Sequence, residues 1–213
     1  MNIDFTLAKW LNQPQSFKVS KTSVELTTEP DTDLWQRSYY GFKHDNAPAL
    51  LLSESLNFSF TTKVSFDYQA RFDQAGVIIY LDSDNWFKAS IEFETAQVSR
   101  LGSVVTNNGY SDWATTDIAT VTSIWYRLSR RGPDFLIESS TDGKTFKQMR
   151  IFHLHTLGAT TPETAGLALP TRAGQAVAFG VYACSPLESS FVARFEAFKL
   201  EPCQWAAHET SIK

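Results

Sequence analysis

The feature that most constrains the fold of this chain is a series of short segments in which apolar and polar residues alternate. In the stretch NWFKASIEFE, residues 85–94, Phe87 and Ile91 fall on one side of an extended chain, and Trp86 and Lys88 fall on the other. A period of two residues is typical of a β-strand with one face against a core. Repeated along a chain, this pattern predicts a β-sheet protein.

Turn signals separate the alternating segments. They lie at 83–84, 108–109 and 142–143, where Ser-Asp, Asn-Gly and Asp-Gly pairs are typical of hairpin turns. No capped helical pattern accompanies them, so we expect less than one-tenth helix, against a usual share of about one-third. Short strands joined by turns predict an all-β fold, a two-sheet antiparallel jelly-roll sandwich. The residues expected in its core are Phe60, Phe66, Ile91, Tyr126, Phe179 and Phe195.

The whole chain of 213 residues is expected to form one domain, because no Pro- or Ser-rich linker and no internal repeat divides it. The predicted core spans about 17–200, and 202–213 is predicted to be a peripheral tail. In the segment 57–68, the outward side chains are Ser, Thr, Lys and Asp, which indicates a solvated surface.

Charge and composition exclude several classes of partner. The formal net charge is −4, with 19 basic and 23 acidic residues, which argues against nucleic acid and anionic membranes. No apolar stretch approaches the roughly 18 residues of a membrane span. The N-terminal residues have no apolar region typical of a secretory signal, and two cysteines are too few for a disulfide framework. We therefore expect a cytoplasmic protein with two free thiols.

Some outward-facing positions carry large aromatic and charged side chains. Trp86, Lys88 and Glu92 share one face of a predicted strand, and Trp125 and Arg127 share a face of another. Aromatic rings mixed with charged groups favour sugar binding, because rings stack on the apolar faces of sugars while polar groups bond the hydroxyls. The alternative interpretation is that these tryptophans pack beneath loops.

Six motifs occur in an order that resembles a known family. They are WLNQP (10–14), TDLWQRSYYGF (32–42), FDQAGVIIYLDSDNWFKASIE (72–92), VVTNNGYSDW (104–113), SSTDGKTF (139–146) and GVYACSP (180–186). Together they resemble the domain-of-unknown-function 1349 family, of the regulation-of-enolase type. The resemblance implies a concanavalin A-like lectin/glucanase jelly roll and no established reaction. The polar and aromatic positions it implies are Asp33, Trp35, Tyr39, Tyr40, Asp73, Gln74, Trp86, Lys88, Glu92, Asn107, Asp112, Trp113 and Arg127.

These observations predict a protein that binds a carbohydrate or sugar-derived ligand on a concave aromatic and charged face. Trp86 is expected to be the stacking platform, beside Lys88 and Glu92, with Trp35 and Trp113 at the rim. The predicted binding residues are Trp35, Arg37, Tyr39, Gln74, Trp86, Lys88, Glu92, Trp113 and Arg127.

Two alternatives remain open. Glu92 and Glu94 lie roughly 7 Å apart along one strand face, a spacing that a glycoside hydrolase could use. The third acid of the related glucanase pattern is absent, so hydrolysis is not favoured. The other alternative is a protein-interaction module that regulates a metabolic enzyme.

No cofactor or metal site is predicted. His153 and His155 share a strand face without a third ligand nearby, and Asp82 and Asp84 flank a turn that lacks the pattern of a calcium loop. Cys184 ends an apolar strand and is expected to be an inert buried thiol.

Overall fold

The computed structural model describes residues 3–161 and 174–206, and within these ranges the regular structure is almost entirely β-strand. The strands are β1 Lys9–Leu11, β2 Phe17–Val19, β3 Ser23–Thr27, β4 Leu34–Gln36, β5 Lys43–Asp45, β6 Ala49–Glu54, β7 Phe58–Phe66, β8 Gln74–Asp82, β9 Asn85–Phe93, β10 Val98–Asn107, β11 Tyr110–Ala119, β12 Ser123–Arg131, β13 Asp134–Ser140, β14 Lys147–His153, β15 Val177–Cys184 and β16 Val192–Pro202. Two three-residue 3-10 helices, Phe5–Leu7 and His155–Leu157, complete the described elements. The prediction of an all-β chain with very little helix is confirmed.

The strands form two seven-stranded antiparallel sheets and one small hairpin. The front sheet has the order β1-β6-β15-β8-β9-β10-β11, and the back sheet has the order β14-β13-β12-β7-β16-β3-β2. The hairpin β4–β5 with its connection, residues 34–45, is called the flap. The two large sheets pack face to face, which is the predicted sandwich.

The main core lies between the two sheets. All six residues predicted for it are at most 6% exposed. Phe179 of the front sheet meets Phe58 and Phe60 of the back sheet at ring-centroid distances of 4.6 and 5.2 Å. Phe5 is also fully buried in this cluster, so the core begins before the predicted start at residue 17.

The turns and close contacts follow the predicted chemistry. The turns at 83–84, 108–109 and 142–143 join antiparallel neighbours, as expected. Asn108 and Gly109 have φ values of 51° and 75°, as a tight hairpin turn requires. In the front sheet, a Cβ atom on Gly76 would lie 1.8 Å from the carbonyl oxygen of Ala89, so only glycine fits there.

The outer face of β7 is less exposed than its alternation indicates. Ser59 and Thr61 are buried, so the expectation of a fully solvated face is wrong there. The Ser59 hydroxyl bonds Ser129 Oγ at 2.6 Å and accepts from the backbone N–H of Gln204 at 2.8 Å. The first residues of the predicted tail therefore cover this end of the back sheet, and the rest of that tail, 207–213, lies outside the described residues.

No helix in the described part of the chain is long and apolar enough to cross a bilayer.

Candidate ligand-binding site

A second buried cluster lies on the outer face of the front sheet, beneath the flap. Trp86 is its largest member, and the cluster also contains Leu34 of the flap, Ile78 and Val104 of neighbouring strands, and Tyr182. The indole N–H of Trp86 donates to the carbonyl of Ser83 at 3.3 Å.

The expectation that Trp86 is an accessible stacking platform is therefore wrong. Its exposed fraction is 0%, because the flap covers the outward face of β9 at this point. The alternative interpretation, a ring packed beneath a loop, describes Trp86 correctly.

A pocket of about 370 Å³ lies beside this cluster, between the flap and the front sheet. Its walls combine aromatic rings with a few polar and charged side chains. The lining residues are Asp31, Asp33, Trp35, Tyr40, Phe42, His44, Phe72, Gln74, Lys88, Ser90, Glu92, Gly102, Ser103, Val104, Trp113, Pro186 and Leu187. Five predicted binding residues meet here, namely Trp35, Gln74, Lys88, Glu92 and Trp113.

The flap supplies a row of aromatic rings to the pocket. Tyr40 contacts Trp35 edge-on at 5.6 Å and stacks on Phe42 at 5.4 Å, and Phe42 meets His44 edge-on at 4.9 Å. The indole N–H of Trp35 donates to the carbonyl of Ser38 at 3.2 Å, which fixes the ring within the flap. The rings contact one another, so the flap presents a continuous apolar surface.

Trp113 adds a further ring from the edge strand β11. It is 37% exposed, and the Arg100 guanidinium lies 5.6 Å from its ring centroid. A cation beside the ring holds it in place without covering the whole of it. Trp113 therefore offers a partly accessible aromatic surface to the pocket.

Lys88 is a buried cation with a matching anion. Its side chain is only 5% exposed, and its ammonium donates to Asp33 Oδ1 at 2.8 Å. Burial lowers the pKa of Lys88, but Asp33, Cys184 and Glu92 together outweigh burial and hold the pKa above its ordinary value. The pair is therefore ionised and mutually neutralised in the floor of the pocket.

A hydrogen-bonded network fixes the other polar groups of the floor. The Tyr182 hydroxyl lies 3.1 Å from Gln74 Oε1 and 2.8 Å from Ser90 Oγ. Gln74 Nε2 donates to the carbonyl of Phe72 at 3.2 Å and to Glu92 Oε2 at 3.3 Å. Since Gln74 is held at both ends of its amide, it presents Glu92 with a fixed donor.

Glu92 is the least satisfied group of the floor. Its Oε1 atom is buried and accepts no hydrogen bond from the protein. Burial raises the pKa of Glu92 to about 7; Lys88 and Arg100 oppose the rise, and Asp33 and Glu94 add to it. Glu92 therefore exchanges a proton near neutral pH.

Glu94, the partner of Glu92 in the hydrolase alternative, does not line this pocket. Its carboxylate is paired with Arg71 at 2.5 Å and with Arg100 at 3.4 Å. Glycoside hydrolysis needs two carboxylates that flank one bond of the substrate. Of the two carboxylates in the hydrolase alternative, only Glu92 lines the pocket.

Three other predicted binding residues, Arg37, Tyr39 and Arg127, lie outside the pocket. Arg37 Nη1 donates to the carbonyl of Gly109 at 2.8 Å and pairs with Asp84 at 3.4 Å, so it anchors the flap from outside the pocket. Tyr39 is 96% exposed at the turn of the flap. Both residues share an element with the pocket wall and are absent from its lining.

Arg127 belongs to the back sheet, so the expectation that it lies on the same binding face as Gln74 and Glu92 is wrong. It pairs with Glu138 through two hydrogen bonds of 2.6 and 2.9 Å on the outer face of the back sheet. Trp125, on the same face, lies over the turn at Gly143, where a Cβ atom would be 2.7 Å from its ring. Sequence alternation identifies outward positions but does not say which sheet carries them.

Several pocket residues were not predicted as binding residues. They are Asp31, Asp33, Tyr40, Phe42, His44, Phe72, Ser90, Ser103, Pro186 and Leu187, together with Gly102 and Val104. The available signal was the aromatic run at 39–44, interrupted by Gly41, which is too short to form a strand of the core. Three of its rings, those of Tyr40, Phe42 and His44, line the pocket on the front sheet instead.

The described residues offer little support for metal or thiol chemistry. Among residues 3–161 and 174–206, no group of three or more His, Cys, Asp and Glu side chains is placed to hold a metal ion. His153 is bonded to Asp134 at 2.7 Å. Cys184 is buried, and burial raises the pKa of its thiol well above the ordinary value, as expected for an inert thiol.

Comparison with known proteins identifies the family. The family model described as "Protein of unknown function (DUF1349)" matches residues 10–203. The chain belongs to the DUF1349 family. The pocket, from Asp31 to Leu187, lies entirely within the matched region.

Relatives of this DUF1349 chain extend the comparison. It is 32% identical to "Regulation of enolase protein 1" of Saccharomyces cerevisiae, over 78% of this chain and 87% of that protein. A crystal structure of a functionally unknown protein from Saccharomyces cerevisiae superimposes with a TM-score of 0.78 at 28% identity, covering 93% of this chain and 98% of that one. The GH43 protein BlXynB of Bacillus licheniformis has a TM-score of 0.65 at 16% identity, over 89% of this chain and 35% of that one. The last likeness concerns the fold alone.

Proposed function

We propose that this protein binds a carbohydrate or a sugar-derived ligand in the pocket between the flap and the front sheet. The observation that carries the proposal is the combination of partly accessible aromatic rings, Trp35 and Trp113 among them, with a fixed polar floor that includes Gln74 and Glu92. Sugars present apolar ring faces and a rim of hydroxyls, and such a pocket has partners for both.

The dimensions of the pocket suit a small ligand. Its volume of about 370 Å³ is at the lower end of the usual range of roughly 300 to 1,000 Å³ for ligand pockets. A single sugar ring or the end of a longer glycan matches this size. Lys88 contributes mainly to the floor in this proposal, because its charge is already matched by Asp33.

A binding screen tests the proposal. Monosaccharides and short glycans are titrated into the purified protein by calorimetry, and the tightest ligand is then tested with Trp113→Ala. Removing a stacked ring should weaken binding about tenfold, since a ring contact contributes roughly 0.5–1.5 kcal/mol beyond its buried area.

The matched control is Trp125→Ala, which removes a ring from the outer face of the back sheet. The Trp125→Ala variant should bind the ligand with the same affinity as the unmodified protein. If no sugar binds at millimolar concentration, or if both variants lose affinity equally, the proposal is wrong.

A second candidate function is protein interaction through the turn of the flap. Tyr39, Tyr40 and Phe42 are 96%, 54% and 43% exposed, and exposed aromatic rings are enriched where proteins meet. The relative named "Regulation of enolase protein 1" suggests enolase as the partner to test. We therefore propose calorimetry with purified enolase from the same organism, and Tyr39→Ser should weaken any complex while leaving sugar binding unchanged. No heat of binding at micromolar concentrations would remove this candidate.

Location and domain organisation complete the proposal. We infer a cytoplasmic protein, because Cys184 and Cys203 are both free thiols. We also propose that 1–213 forms one domain. Limited proteolysis that releases two stable fragments would contradict the single domain.

A further inference from the structure

The charges that line the pocket do not balance. Lys88 is neutralised by Asp33 at 2.8 Å. Nearby Arg100 is paired with Glu94 at 3.4 Å and is not a lining residue. Among the described lining residues this leaves Glu92 and Asp31 as acids without a cation, and exposed His44 as the remaining basic group.

Glu92 is the acid that has most to gain from a ligand. Its one hydrogen bond from the protein, from Gln74 Nε2, is long at 3.3 Å, and its Oε1 atom is buried without a donor. A buried carboxylate oxygen that lacks a partner is costly, and a charged donor relieves more of that cost than a neutral one.

The surrounding rings add a second preference for positive charge. Trp35, Tyr40 and Trp113 place electron-rich rings in the wall of the pocket. Cations are attracted to the faces of such rings, most strongly to tryptophan. Acid groups and aromatic rings therefore favour the same kind of ligand, and both disfavour a phosphate or carboxylate.

We propose that the ligand is an amino sugar whose ammonium group pairs with Glu92 while its ring lies against the aromatic wall. This inference rests on the proposed function, because it assumes that a sugar occupies the pocket. It goes further by giving the charge of the ligand and by making Glu92 the residue that determines specificity.

The inference also gives a direction to the pH dependence. The charged or titratable groups that face Glu92 are Lys88 and Glu94 of its own strand, Asp33 before the flap, and Arg100 of β10. Their combined effect with burial is a Glu92 pKa of about 7, so the carboxylate is mostly protonated at pH 6 and mostly ionised at pH 8. Binding of a cation whose amine stays protonated up to pH 8 should tighten by about tenfold between these pH values.

A matched ligand series tests the charge. All ligands in the series have the sugar ring that binds best in the screen. They differ in one substituent, which is the natural hydroxymethyl group, an aminomethyl group, a carboxylate or a phosphate at the same carbon. The 2-amino sugar is included to vary the position of the amine. We expect one of the amines to bind at least tenfold tighter than the neutral sugar at pH 8, and the acidic sugars to bind more weakly than it.

The variant Glu92→Gln separates charge from shape, because the amide keeps the size of the side chain. It should abolish the tenfold preference for the amine and its pH dependence, both measured as the ratio of the amine's affinity to the neutral sugar's affinity for the same variant. Glu196→Gln, on the outer face of the back sheet, should change neither. A neutral sugar that binds as tightly as both amines, or an acidic sugar that binds tightest, would overturn the inference and leave the proposed function intact; no binding of any sugar would overturn both.

Discussion

The outer faces of the two sheets come from the same alternating pattern and have different environments. On the back sheet, outward charged residues form ion pairs at the surface, such as Lys63 with Glu196 at 3.3 Å, with side chains 31% and 44% exposed. On the front sheet, Lys88 forms its pair with Asp33 at 2.8 Å, and its side chain is 5% exposed. One face is open to water over much of its area, and the other is roofed by the flap.

The difference shows that a small hairpin can convert an outer face into a second interior. Leu34 of the flap belongs to the same buried cluster as Trp86, and Asp33, the residue before Leu34, supplies the anion for Lys88. The flap reaches over this part of the sheet, and beside it the gap between flap and sheet forms the pocket. The burial of Trp86 and the shape of the pocket therefore depend on the same hairpin.

The largest expected effect distinguishes two tryptophans that look equivalent in the sequence. Trp86→Ala should lower the free energy of unfolding by about 3–5 kcal/mol, because it leaves a cavity where a fully buried ring was. Trp125→Ala, on the back sheet, should cost less, since its ring is partly exposed. Urea unfolding of both variants measures the difference, and equal losses would contradict the contrast between the faces.

The two ion pairs provide the next comparison. Asp33→Ala should cost about 3 kcal/mol, because it leaves the buried Lys88 ammonium without its anion. Glu196→Ala breaks a surface pair and should cost less than about 1 kcal/mol.

A double variant provides the control for this prediction. Asp33→Ala combined with Lys88→Met removes both charges and should recover much of the lost stability. If the double variant is no more stable than Asp33→Ala alone, the loss does not come from an unpaired charge.

Glu92 should make stability depend on pH in a way that no residue of the back sheet does. Its pKa is about 7 in the folded protein and near 4.5 when unfolded, so the folded state binds the extra proton between these values. Stability therefore falls as pH rises through this window, by up to roughly 3 kcal/mol. Relative to the unmodified protein, Glu92→Gln should gain most of this amount between pH 4.5 and pH 8.

Thermal unfolding at both pH values measures this gain. Glu196→Gln is the control and should show no comparable change. A constant difference between Glu92→Gln and the unmodified protein would show that the carboxyl titrates normally.

The smallest expected effect is at the turn of the flap. Tyr39 is 96% exposed and has a φ of 62°, a region that asparagine tolerates better than tyrosine. Tyr39→Asn should change the free energy of unfolding by less than about 0.5 kcal/mol. A large loss of stability would mean that the turn, and not only the base of the flap, supports the front face.

The fold was predictable because it follows from local signals. The alternation around Phe87 and Ile91 and the turn at 108–109 each report on their own strand, and the structure confirms them.

The site was predictable only in part, because it depends on contacts between distant segments. Lys88 and Glu92 were found from their shared outward face, and Gln74 from the resemblance to the family. The burial of Trp86 and the position of Arg127 on the other sheet depend on where the flap lies and how the strands are ordered, and alternation carries neither kind of information. Asp33 and Tyr40 had a resemblance to the family as their signal and no periodic pattern.

The most direct test of the central claim, that the flap pocket is the ligand site, uses the indole N–H signals of the six tryptophans. With the tightest sugar from the screen, a two-dimensional proton–nitrogen NMR titration should shift the signals of Trp35 and Trp113 and leave that of Trp125 in place. Shifts concentrated at Trp125, with Trp35 and Trp113 unchanged, would place the ligand on the back sheet and contradict the account.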